Sequence, residues 1–191
     1  MQDTQMYHAD LQGRMRHRTE FSWERVGMDA TRRRVLHIPG EGYYYLGFAS
    51  GHDCNCFVYS LQQCVHISTD VDAVRASLQE EFSRACGPLC DATGSRCTRN
   101  CMKVYRRNYL CTDHWGAVLA RIGQHAHAGP QILDASQFCL RVLDITFDGS
   151  GAVLGNLAAP QKITVAREGG DHFVPVLPYA GNVEEVRRGQ W

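Results

Sequence analysis

Lysine is nearly missing from this chain of 191 residues. Lys103 and Lys162 are the only two, against 18 arginines. A GC-rich genome accounts for such a bias, and so does selection against lysine itself; the sequence leaves both open. Net charge is lacking as well. The 20 basic and 20 acidic residues cancel, so no global field recruits nucleic acid or an acidic membrane. No window approaches the roughly 18 apolar residues of a membrane-spanning helix. Residues 1–18 are polar and arginine-bearing with no apolar h-region, which excludes an ordinary signal peptide. The expectation is a protein that works in a cytosol, is exported by a route without such a peptide, or is cut from a larger chain.

What is present points to a packed globule. A hydrophobic fraction of 44% over 191 residues suits one domain with a sizeable core. Cysteine is abundant at nine residues, an odd number that leaves at least one thiol unpaired if disulfides form.

Residues 1–33 read as a polar, arginine-containing arm, and 34–191 as a single domain. Val35–Ile38 and Tyr43–Phe48 are strand-like, joined by the turn signal Pro39-Gly40-Glu41-Gly42. A helix is expected from Phe57 to about His66. Another, capped by Thr69 or Asp70, carries Val71, Val74, Leu78 and Phe82 on one stripe. A third opens at Asp113 and buries Ala117, Val118, Leu119 and Ile122. Strands follow over 138–145, 162–165 and 173–177, and a polar tail after Pro178 covers a surface. Helices first and strands last argue an α+β fold with a small central β-sheet packed between helices.

The chemistry concentrates in Asp53-Cys54-Asn55-Cys56-Phe57-Val58-Tyr59-Ser60-Leu61, where a polar loop delivers Cys56 onto the first turn of a helix. Orphan N–H groups and the helix dipole favour a thiolate there, and the thiolate is the nucleophile. Far downstream, His172 in Gly170-Asp171-His172-Phe173 stands on a strand and can serve as base. A cysteine hydrolase needs that pair, an orienting group for the histidine and donors for the oxyanion.

These segments resemble the ovarian-tumour (OTU) family of cysteine deubiquitinases. In that family the nucleophile lies in an Asp-Gly-Asn-Cys loop, and Asp53, Asn55, Cys56, Phe57, Ser60 and Leu61 fall in register with the pattern. Trp115-Gly116 is similar to the family's Trp-Gly helix start, and His172-Phe173 to its terminal His-aromatic pair. The resemblance covers about 35–178 and implies a papain-like fold. It further implies Cys56 as nucleophile, His172 as base and Asp53 as a loop-ordering or charge-balancing member, with Asp53, Cys54, Asn55 and Cys56 forming the oxyanion loop. The implied partner is ubiquitin or polyubiquitin, with no nucleic acid, and the chemistry needs no cofactor.

Two positions depart from the pattern. Cys54 replaces the glycine, so a positive φ there is strained; it is also a rival nucleophile two residues away. Val174 stands where the family often has its orienting Asp or Asn, which leaves Asp29, Glu41, Asn182 or no third member.

Cys86, Cys90, Cys97 and Cys101 form two Cys-x3-Cys pairs. A structural zinc, two disulfides and free thiols all suit that spacing. His125 and His127 are expected in an exposed turn rather than on a metal. Three functions stay open: a thiol isopeptidase acting on ubiquitin or a ubiquitin-like modifier, a papain-like protease or glutamine deamidase, and a catalytically silent ubiquitin-binding or toxin module. Two lysines and the departures at 54 and 174 suit a bacterial effector or viral enzyme delivered into a host cytosol.

Overall fold

The computed structural model describes residues 19–51, 54–81, 112–146, 150–169, 172–189 and 191. Among the described residues nine strands make one mixed sheet: β1 (Thr19–Ser22), β2 (Glu24–Met28), β3 (Arg34–Ile38), β4 (Gly42–Leu46), β5 (Phe138–Asp144), β6 (Ser150–Gly155), β7 (Gln161–Glu168), β8 (His172–Pro178) and β9 (Arg187–Arg188). Their order is β1-β6-β5-β7-β8-β4-β3-β2-β9. β5 and β7 run parallel, with Phe138 beside Gln161 and Asp144 beside Arg167; β7 and β8 form an antiparallel hairpin in which Glu168 faces His172. Three helices lie among the described residues: α1 (Cys56–Val65), α2 (71–81) and α3 (Trp115–Gln124).

Alternation along the strands sorts the core into two faces. Phe138 and Leu140 of β5, Ile163 and Val165 of β7 and Phe173 of β8 pack under the helices, meeting Phe57 and Leu61 of α1, Val74 and Leu78 of α2, and Leu119 and Ile122 of α3. Their neighbours Leu143, Ala166, Val174 and Val176 point the other way and pack with Trp23, Leu36, Ile38 and Leu46. That second face is closed by the sheet's own strands and by Trp191, whose ring centroid stands 5.9 Å from that of Trp23. The fold is α+β, as expected, and its sheet is larger than the sequence suggests.

The helices follow local rules. Asp70 caps α2, its Oδ1 accepting the N–H groups of Asp72 (2.9 Å) and Ala73 (3.2 Å). Thr69, the other expected cap, instead donates its hydroxyl to His125 O at 2.6 Å. α1 ends where His66 turns left-handed at φ 55° and returns its N–H to Gln62 and Gln63. Trp115 begins α3, and Gly123 near the helix end lets Gln131 approach so closely that a Cβ would lie 2.3 Å from its carbonyl oxygen.

The arm expected over 1–33 is too long, and the domain begins earlier than residue 34. β1 and β2 belong to the sheet, and Trp23 between them is buried at 1% exposure. Their short runs hide the alternation, and a bulge between Arg25 and Gly27 breaks it further. β6 was equally hidden, because Gly151 replaces a side chain with room for the Phe21 ring. The tail after Pro178 does more than cover a surface. It forms a turn over Val183–Glu185 and supplies β9 against β2.

Candidate active site

The loop between β4 and α1 is built to present Cys56. Gly47 N–H donates to Pro175 O at 2.8 Å, tying the loop's start to β8. Cys54 adopts φ 60°, the left-handed region anticipated for a glycine site, and its amide donates back to Gly51 O at 3.2 Å. That amide is therefore committed within the loop it was expected to open toward an oxyanion. Asn55 is the N-cap of α1, buried at 4% exposure, and its side chain makes no cap hydrogen bond.

Instead the Asn55 side chain is held by Arg75. This α2 arginine is buried at 6% exposure; its Nε donates to Asn55 Oδ1 and its Nη2 to Cys54 O at 2.7 Å. Charge-assisted bonds of this kind are the strong ones. Sequence reading missed Arg75, although a signal was available: it falls between Val74 and Leu78 on the apolar stripe of α2, where a charge demands buried partners.

Cys56 is fully buried at the first turn of α1. The N–H of Phe173 donates to its Sγ at 3.4 Å across 117 residues of sequence. Burial pushes the thiol above its ordinary range, and the N–H groups of Phe173 and Phe57 pull it partly back. In the free protein the helix start thus does not outweigh desolvation, contrary to the sequence expectation of a lowered thiol.

His172 opens β8, one residue from that contact, with about a third of its side chain exposed. Its Nδ1 faces the loop, where a Cβ on Gly51 would lie 3.4 Å away. Its Nε2 lies 4.0 Å from Glu168 Oε2, and Arg34 donates to Glu168 Oε1. Glu168 and Arg34 were also missed. Three residues, Gly169-Gly170-Asp171, separate Glu168 from His172, a spacing and composition that suit a hairpin loop pairing the two.

The other expected partners are engaged elsewhere. Asp29 accepts from Thr31 and Arg33. Glu41 pairs with Arg141 and Lys162, each at 2.7 Å. Asn182 caps the Val183–Glu185 turn, and Val174 is buried in the second core. Cys54 is partly exposed with a free thiol, as is Cys64. Asp53 lies outside the described residues, as do Asp171, Phe82 and the zinc or disulfide candidates Cys86, Cys90, Cys97 and Cys101. Among the described residues no cluster of His, Cys, Asp and Glu is arranged to hold a metal. His127 sits 3.2 Å from Ser68 Oγ in an exposed turn, and among the described residues no helix is long and apolar enough to cross a membrane.

No family model matches the chain, and no curated protein matches it. Among solved structures it is similar to the Hazara virus OTU bound to ubiquitin, at 14% identity and a TM-score of 0.41, covering 87% of this chain and 99% of that one. It is also similar to the viral OTU domain protease from Taggert virus, at 9% identity and a TM-score of 0.41, covering 78% and 96%. At such identity and TM-score the chemistry of the site rests on its own residues.

Proposed function

We propose that the chain is an OTU-like cysteine hydrolase that cleaves ubiquitin, or a ubiquitin-like modifier, from lysine. The observation that carries this reading is the meeting of Cys56 Sγ with the N–H of Phe173, which brings the two chemically suited segments to one corner of the fold. His172 takes the thiol proton, and the thiolate attacks the carbonyl carbon at the modifier's C-terminal glycine. Backbone amides of the 53–56 loop other than that of Cys54, which is committed to Gly51, hold the oxyanion. The protonated imidazole then gives its proton to the departing lysine amine, and water cleaves the thioester. None of these steps calls for a metal. A chain with two lysines offers few sites for ubiquitination, which suits an enzyme acting on host ubiquitin after delivery into a host cytosol.

A ubiquitin probe ending in an electrophile tests the reading. Covalent capture that Cys56→Ala abolishes and Cys54→Ala preserves is the expected result. Capture at Cys54 would overturn the choice of nucleophile. The complete burial of Cys56 favours one alternative, a catalytically silent ubiquitin-binding module. That alternative predicts binding of ubiquitin without capture.

A further inference from the structure

The site described above has a nucleophile and a base, and the position expected to orient the base is the apolar Val174. We propose that Glu168 is the positioning residue for His172, held in place by Arg34. The inference rests on the hydrolase reading for its kinetic consequence and on geometry for the contact itself.

Three observations converge. First, Glu168 and His172 are cross-strand partners where β7 turns into β8. Side chains at such paired positions share one face and stand within reach of each other. Second, the two carboxylate oxygens are divided between two cations or donors. Arg34 takes Oε1, and Oε2 stands 4.0 Å from His172 Nε2. This separation is longer than a hydrogen bond, and catalytic contacts of this kind commonly tighten when substrate binds. Third, the two ring nitrogens face different groups: Nε2 toward Glu168, and Nδ1 toward Gly51 of the nucleophile loop.

The division of the ring has a chemical meaning. A carboxylate beside Nε2 favours the proton on that nitrogen, which leaves Nδ1 with its lone pair on the side of the nucleophile loop, at Gly51. Nδ1 is then the atom that accepts the thiol proton, and Glu168 stabilises the imidazolium that results. Arg34 fixes the carboxylate through its other oxygen. The other strand of the same hairpin thus supplies the acid that position 174 lacks. Asp29, Glu41 and Asn182 are all committed to other partners.

The test combines steady-state cleavage of a fluorogenic ubiquitin C-terminal amide with nitrogen NMR of the His172 ring in the full chain. Glu168→Ala is expected to lower kcat by about tenfold or more with KM little changed, and to remove the dominance of the Nε2–H tautomer. Glu168→Gln, whose amide oxygen still accepts from Nε2–H, should recover part of both. Asn182→Ala should change neither. Wild-type kcat and an unchanged tautomer in Glu168→Ala would overturn the proposal. If the wild-type protein does not cleave the substrate, the hydrolase reading fails by itself. The NMR comparison then decides alone: a Nε2–H tautomer lost in Glu168→Ala supports the positioning contact, and an unchanged one overturns it.

Discussion

The rings of Phe57 and Phe173 stand 5.0 Å apart at 58°. Each immediately follows one of the two residues assigned to the chemistry, Cys56 and His172. The aromatic pair acts as the joint between α1 and β8, so packing and the proposed chemistry share one contact. Phe173→Leu is expected to cost about 1 kcal/mol beyond its lost burial, and to lower activity more than stability alone explains. Chemical denaturation and activity assays of the same samples, with the folded fraction known, separate the two effects.

The thiol of Cys56 is disfavoured as an anion by its burial. Alkylation of the free protein by iodoacetamide should therefore be slow at neutral pH and keep climbing through the alkaline range. Mass spectrometry of the modified Cys56 peptide against pH measures it. A plateau reached already below pH 7, roughly the signature of a thiolate–imidazolium pair, would contradict the burial argument.

Arg75 joins α2 to the nucleophile loop through Asn55 and Cys54. Arg75→Met leaves one buried and one half-buried acceptor without their donor, a cost of about 2–3 kcal/mol. Unfolding in urea should show that loss. A drop in kcat among the molecules that stay folded would show that the loop geometry depends on it.

Cys54 holds a left-handed φ of 60° with a Cβ attached. Relief of that strain, offset by the greater freedom of an unfolded glycine, gives Cys54→Gly a net gain of about 0.5 kcal/mol. Cys54→Val, with a branched Cβ, should lose about 1–2 kcal/mol. Thermal denaturation of the three proteins ranks them, and a Val variant as stable as the Gly variant would contradict the strain.

Asp29 carries an acid-sensitive part of the stability. Burial pushes its carboxyl up, but the Arg33 amide, the Thr31 hydroxyl and the Arg33 guanidinium outweigh it and hold the group at about 2. Its folded value lies below the unfolded one, so its contribution is present above the ordinary carboxylate range and is lost as pH falls toward 2. Asp29→Asn should flatten the fall in stability between about pH 4 and pH 2, measured by denaturation across that range. An equally steep fall in the variant would remove Asp29 as its source.

Much of this was legible in the chain. The stripe Val71, Val74, Leu78 and the alternating strands of the C-terminal half declare their periods, and Cys54 declared its strain by standing where a glycine was wanted. The site was only half legible, for a physical reason. Cys56 and His172 are recognisable by residue type and setting, whereas Arg75, Arg34 and Glu168 are ordinary charged residues until the tertiary fold gives them partners. Strand β6 escaped because its glycine serves the neighbouring Phe21 rather than its own strand's pattern.

The last strand of the sheet carries a consequence for self-association. β9 has only two residues, Arg187 and Arg188, both exposed. An open edge normally invites a second molecule to add its own strand. Here the ladder on offer is two residues long, and a second copy docking in the same way would bring like charges together. Even at high concentration, growth of fibres from this rim is opposed by its shortness and by charge repulsion at once.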